Sequence, residues 1–314
     1  MRSPIPYYGS KARLADNIVS LMPEHRRYVE PYCGGLSVLL AKPQCRSEVV
    51  NDLDQSIMTF WRVLRDQPDE LARVCALTPH SREERNLAKS IPADLDDIEV
   101  ARRVWSALVQ GRAGTLINTG WKHSTDSGHY PIPRSMSTSV ERMAEVSERL
   151  RGVSLECRPA LEVIARYGGD MDTLLYVDPP YLGETRRRNY RVEMAGARAH
   201  RELATALREC RATVILSGYE SELYAELFAD WHRTEFLART EQSPIGRDGS
   251  RTEVVWSNRE FRYTGGETDD GCNETRPSCG HCGRVIPKRS TGRPARFCSG
   301  ACRVAAHRAR ASAV

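Results

Sequence analysis

Apolar positions follow two rhythms along the 314 residues of this chain. An apolar stretch beginning near Tyr28 runs into Cys33-Gly34-Gly35 and then into Leu36-Ser37-Val38-Leu39-Leu40, a strand, a tight turn and a helix. A second strand, Glu48-Val49-Val50, stops on Asn51-Asp52, and the helix after it carries Ile57, Phe60, Trp61 and Leu64 on one face. This alternation predicts a parallel sheet in an α/β fold. From about residue 65 to 140 the rhythm changes. Helices come first, including one with Ile98, Ala101, Val104, Trp105 and Leu108 at helical spacing, and then a loop rich in Gly, Thr, His and Trp, which together read as an insertion outside the sheet. The α/β pattern returns with a short strand before Glu156-Cys157-Arg158, with Thr173-Leu174-Leu175-Tyr176-Val177, and with Thr213-Val214-Ile215-Leu216-Ser217 after a helix around His200 to Cys210. Arg233 to Leu237 and Glu253 to Trp256 flank a loop holding Asp248-Gly249 and predict an antiparallel hairpin at one sheet edge. The expected organisation is an α/β domain over 1–64 and 150–263, an insertion over 65–149, a linker over 264–276 and a tail over 277–314.

Composition narrows this picture. A 40% hydrophobic content suffices for a buried core, and neither an apolar run of about 18 residues nor a charged-then-apolar amino terminus occurs, so membrane spanning and secretion are not expected and the cytoplasm is. The net charge of +5 is uneven: Arg276 to Arg310 contains eight Arg, one Lys and no acidic residue, which suits a polyanionic partner. Arg outnumbers Lys 41 to 5, a bias that fits a GC-rich genome, bacterial or phage. Of the ten cysteines, five are scattered and five fall in the last 43 residues, a clustering that points to metal and not to a disulfide framework. Cys279-x2-Cys282, fifteen residues, then Cys298-x3-Cys302 is paired-ligand spacing for tetrahedral zinc, with His307 as a substitute ligand. A segment that short would depend on the metal for its fold.

The chemistry concentrates in Asp178-Pro179-Pro180-Tyr181, directly after a strand, where ligands bind in open α/β sheets. Two prolines fix the backbone and remove two donors. An aspartate beside a rigid carbonyl is a pair of acceptors that suits an exocyclic amino group with its two N–H donors, and a tyrosine offers a flat face to a base. The alternative reading of the tetrapeptide is a plain strand-ending turn.

With Pro6-Tyr7-Tyr8-Gly9-Ser10-Lys11, Val29-Glu30-Pro31-Tyr32-Cys33-Gly34-Gly35, Asn51-Asp52 and the late Glu253-Val254-Val255-Trp256-Ser257-Asn258, that tetrapeptide makes the chain resemble the Dam-type (D12 class) DNA adenine methyltransferases. Tyr7 stands where tryptophan is frequent in that family. The resemblance implies a Rossmann-like S-adenosylmethionine-dependent methyltransferase fold, mostly parallel with an antiparallel edge hairpin, a helical target-recognition insertion and a small C-terminal zinc module. It implies double-stranded DNA as substrate and S-adenosylmethionine as cofactor, and leaves a cognate restriction enzyme open. Asp178, Pro179, Pro180 and Tyr181 are then the catalytic residues. Tyr7, Lys11, Glu30, Tyr32, Gly34, Asp52 and again Asp178 are the expected cofactor contacts, with Glu156-Cys157-Arg158 near the cofactor adenine. Asp52 reads equally as an acceptor for ribose hydroxyls or as a helix cap, and Lys11 either meets the cofactor carboxylate or faces solvent. Arg112, Asn118, Trp121, Lys122, His123 and His129 combine base-reading, stacking and phosphate-seeking chemistry in the insertion, or form a polar loop. Phe297-Cys298-Ser299-Gly300-Ala301-Cys302-Arg303 resembles small treble-clef or ribbon-like zinc modules. Two other functions fit the same residues: N4-cytosine methylation, and a DNA-binding relative without turnover.

Overall fold

Seven strands form one sheet in the order β3-β2-β1-β4-β5-β7-β6. They are β1 (Arg27–Glu30), β2 (Ser47–Asn51), β3 (Val153–Glu156), β4 (Thr173–Val177), β5 (Thr213–Tyr219), β6 (His232–Arg239) and β7 (Ser250–Ser257). This is a computed structural model, and it describes residues 1–117, 119–123, 132–182, 194, 196–239 and 250–262. The chain divides into two units, Met1–Gly265 and Gly266–Val314, and the second lies outside the described residues, as do the expected zinc ligands Cys279, Cys282, Cys298 and Cys302 and the alternative ligand His307.

β1 to β5 run parallel. β7 enters antiparallel between β5 and β6, pairing Tyr219 with Glu253 on one side and Phe236 with Glu253 on the other. The expected edge hairpin is therefore present, with its second strand on the inside. Alternation along the parallel strands explains why the sheet is covered on both faces. Tyr28, Leu174 and Tyr176 belong to one core, whereas Val29, Leu175 and Val177 belong to the other.

Eleven helices are described: α1 (Ala15–Ser20), α2 (Ser37–Ala41), α3 (Gln55–Asp66), α4 (Pro68–Leu77), α5 (Arg82–Leu87), α6 (Asp97–Gln110), α7 (Ile132–Glu141), α8 (Met143–Leu150), α9 (Ala160–Tyr167), α10 (Gly196–Arg208) and α11 (Glu222–Leu227). Ile57, Phe60, Trp61 and Leu64 of α3 are buried in the first core together with Ala101, Val104, Trp105 and Leu108 of α6. Val163 and Ile164 of α9 and Leu203 and Leu207 of α10 fill the second. Glu48 on β2, its side chain fully buried, is held by Lys42 at 2.7 Å and by Arg149 of α8, so a paired charge joins α8 to the sheet. Among the described residues of 65–149 no strand occurs, apart from an isolated bridge between Gly111 and Trp121.

Strand order reverses between β1 and β4, since β2 and β3 lie on one side and β5 on the other. Segments leaving the carboxyl ends of β1 and β4 diverge there, which opens a crevice at the topological switch point.

Candidate active site

Three strand ends are tied together before any functional side chain is placed. Asn51, at the end of β2 and fully buried, donates from Nδ2 to the carbonyls of Pro31 and Arg158 at 2.9 and 3.0 Å, and its Oδ1 accepts from Arg158 N–H at 2.8 Å. Cys33 N–H returns to the Asn51 carbonyl at 2.8 Å. The turns after β1, β2 and β3 are thereby fixed relative to one another.

The Gly34 turn is fixed at both of its polar atoms. Its N–H donates to Asp52 Oδ2 at 3.0 Å, and its carbonyl accepts from Trp61 Nε1 at 2.9 Å. Gly34 adopts φ +41°, and a Cβ placed there would stand 2.7 Å from Cε1 of Tyr7. The ring of Tyr7 packs over Gly34 and Gly35, and both glycines also line the adjoining cavity. The opening segment is anchored in turn by Tyr8 N–H on the Gly114 carbonyl at 2.7 Å and by Ser139 Oγ on the Pro4 carbonyl, with Trp105 Nε1 donating to that same Oγ at 2.7 Å.

A cavity opens between these elements, and Tyr7, Lys11, Glu30, Tyr32, Gly34, Asp52, Asp178 and Pro180 all line it. At the end near β3 its wall is Pro159, Ala160 and Leu161, the three residues just past Glu156-Cys157-Arg158. Asp52 accepts from Gly34 and Asp54 N–H groups, and burial raises its carboxyl to about 6 against those two donors. The cap of α3 is Asp54, which accepts from Ser56 N–H at 2.9 Å, so Asp52 is left facing the cavity. Glu30 is 2% exposed; one oxygen accepts from the Tyr28 hydroxyl at 2.9 Å, and Oε2 makes no well-formed hydrogen bond. Burial lifts Glu30 to about 8, opposed by Tyr28 and the Leu39 amide and assisted by the charge of Asp178. Tyr32 is half-buried, and its hydroxyl is pushed well above its usual range by desolvation and by Asp52.

Lys11 is buried, 6% exposed, and does not reach into solvent. Its ammonium donates to Asp178 Oδ1 and Oδ2 at 2.8 and 2.7 Å and to the Gly9 carbonyl at 2.9 Å, with Glu253 Oε1 at 3.5 Å. Lys11 thus forms an ion pair with the Asp-Pro-Pro-Tyr aspartate while also lining the cavity. Burial alone would lower the Lys11 pKa, but Asp178 and Glu253 outweigh it and hold it raised. Tyr181 donates to Asp178 Oδ1 at 2.9 Å, also meets Glu253 Oε1, and packs edge to face on Tyr219 at 4.5 Å. Glu253 was legible only as part of a late motif; the inserted β7 puts it in this cluster.

In the insertion, Trp121 stacks with His80 and with His123, ring centroids at 4.6 and 5.4 Å, and Arg82 stands 4.8 Å from its ring centre. Its ring is thus engaged by the chain's own side chains. Arg112 and Lys122 are exposed, while Asn118 and His129 lie outside the described residues. Among the described residues no group of His, Cys, Asp and Glu is disposed to hold a metal ion.

Comparison with known proteins bears on the family. The model of a family described as D12 class N6 adenine-specific DNA methyltransferase matches residues 7–93 and 112–243, well over half of the chain. Type II methyltransferase M1.LlaDCHI of Lactococcus lactis subsp. cremoris is 25% identical over 274 residues, covering 80% of this chain and 93% of the relative. Type II methyltransferase M.MjaIII of Methanocaldococcus jannaschii is 22% identical over 200 residues, 56% of this chain and 68% of the relative. A solved SAM dependent methyltransferase from Agrobacterium tumefaciens aligns at a TM-score of 0.37 and 12% identity, covering 79% of this chain and 61% of its own.

Proposed function

The chain belongs to the D12 class of N6 adenine-specific DNA methyltransferases, and from that premise we propose how its residues divide the work. S-adenosylmethionine, when bound, supplies an electrophilic methyl group on a sulfonium. The cavity chemistry fits that cofactor: two carboxyl residues, Glu30 and Asp52, line it, and a lining of that kind suits a ligand that brings positive charge and hydroxyl donors. Glu30 would take the cationic amino-acid end and Asp52 the ribose hydroxyls. Tyr7 and Tyr32 close the cavity around them.

The observation that carries the assignment is that Asp178 lines the same cavity as Glu30 and Asp52. An acceptor for the target amino group therefore shares a wall with the cofactor residues. In a duplex the adenine must first leave the stack. Tyr181 would then hold its ring, and Asp178 with the Pro179 carbonyl would accept the two amino hydrogens and aim the nitrogen lone pair along the line of attack. Lys11 positions the Asp178 carboxylate through both of its oxygens.

Target reading would fall to the insertion over 65–149, through Arg112, Lys122 and the stacked Trp121. The cysteine-paired tail would hold structural zinc, a reading that rests on ligand spacing, and its arginines would add salt-sensitive affinity for DNA phosphates. A cytoplasmic location fits these roles. Asp178→Ala tests the core assignment, because Glu253 stays beside Lys11 as a counter-charge and keeps the fold intact by circular dichroism. Methylation should fall at least 100-fold; near wild-type turnover would sink the assignment.

A further inference from the structure

The chemistry proposed above leaves a proton unaccounted for. Attack on the methyl forms an N–C bond and breaks the S–C bond, whose electron pair stays on sulfur. The amino nitrogen is then left as a cation with one hydrogen too many. The adjacent Asp178 carboxylate can take that proton, but it must be an anion again for the next turnover and remains paired to Lys11 throughout.

Glu253 is the second carboxylate of the cluster and has no task in that mechanism. It is 3% exposed, with its Oε1 on the Tyr181 hydroxyl, and that hydroxyl also donates to Asp178 Oδ1 at 2.9 Å. One hydroxyl hydrogen thus lies between two carboxylates, an arrangement that a proton can cross. We propose that Glu253 is the proton sink of methyl transfer, reached from Asp178 through Tyr181. The hydroxyl gives its hydrogen to Glu253 as it takes the one Asp178 received, so no tyrosinate forms, Asp178 returns to its carboxylate and Glu253 ends neutral.

The surroundings of Glu253 suit that task. Lys11 from the opening segment stands at 3.5 Å, Asp178, Tyr176 and Tyr181 face it from the β4 side, Tyr219 opposes it on β5 and apolar Phe236 opposes it on β6. Burial raises the Glu253 pKa, Lys11 opposes that rise and Asp178 reinforces it. As a positioning and relay residue it acts through Tyr181 without touching the substrate.

This inference rests on the adenine-methylating reading, so the experiment reports on both. Single-turnover methylation of DNA is measured against pH at saturating labelled S-adenosylmethionine, where effects on cofactor binding no longer show, for the wild type, Glu253→Gln, Tyr181→Phe and the double variant. Cofactor affinity is measured separately. Each single variant should lose about 100-fold in rate at unchanged cofactor affinity. The limb in which the rate rises as Glu253 ionises should vanish, and the double variant should be no slower than either single one. A wild-type rate and pH profile in Glu253→Gln would overturn the relay, as would additive losses or a rate loss matched by a loss of cofactor affinity. If the wild type itself forms no N6-methyladenine, the functional reading fails and not the relay alone.

Discussion

Replacing Lys11 with Met keeps the buried stem and removes the charge that balances Asp178 and Glu253. Breaking a buried pair by removing one partner typically costs about 3–5 kcal/mol. The geometry supplies an independent figure, because the abandoned carboxylates can escape by taking up a proton. For an ordinary carboxyl with a pKa near 4.3, that escape costs about 4 kcal/mol at pH 7 and about 1 kcal/mol at pH 5. The sign is therefore definite. The raised Lys11 pKa keeps its own contribution whole through neutral pH and loses it only as pH rises beyond 10.5. The deficit of the variant should be near 4 kcal/mol at pH 7 and near 1 kcal/mol at pH 5, read as the difference in urea unfolding from the wild type at the same pH. A deficit equal at both pH values would refute the claim that unbalanced carboxylates are its source.

Gly34→Ala should cost about 1–2 kcal/mol for the left-handed backbone and about 1–3 kcal/mol for the contact with Tyr7. In a Tyr7→Ala background only the first part should remain, and an unchanged cost there would contradict the packing of Tyr7 on the turn. Cofactor affinity should rise from pH 6 to pH 8 and then level, because a cation beside Glu30 lowers a carboxyl that otherwise sits at about 8 and so expels its proton. Calorimetry in two buffers of different ionisation enthalpy reads that proton release, and Glu30→Gln should abolish it; release that persists in the variant contradicts the assignment. Removing residues 272–314 should eliminate one bound zinc per chain, measured by elemental mass spectrometry, and flatten the salt dependence of DNA affinity. A full-length chain without zinc would refute the metal reading.

All seven strands were legible in the sequence: the inner ones, covered on both faces, are short apolar runs bounded by turns, as Thr173-Leu174-Leu175-Tyr176-Val177 is, and the edge strand β6 was legible from the turn-rich loop that joins it to β7. The cavity was legible in outline for a related reason. Residues that follow parallel strands are brought to one edge of the sheet whatever their separation along the chain, so Glu30, Asp52 and Asp178 converge.

Interactions between those residues were not legible. Nothing in Pro6-Tyr7-Tyr8-Gly9-Ser10-Lys11 says that its lysine spans 167 positions to pair with Asp178. Glu253 joins the cluster because β7 inserts next to β5, a matter of strand order that local periodicity does not encode. Asn51 reads as a strand-ending polar residue, and only the spatial closeness of Pro31 and Arg158 makes it a clamp. Trp121, read among residues with stacking chemistry, already stacks with His80 and His123, one of them 41 positions away.

The most direct test incubates the purified protein with methyl-labelled S-adenosylmethionine and unmethylated double-stranded DNA of mixed sequence, digests the DNA to nucleosides and identifies the labelled product by mass. Label in N6-methyladenine, absent from the Asp178→Ala variant, is the predicted result. Label in N4-methylcytosine, or no labelled nucleoside from a protein that binds the cofactor, would contradict the account.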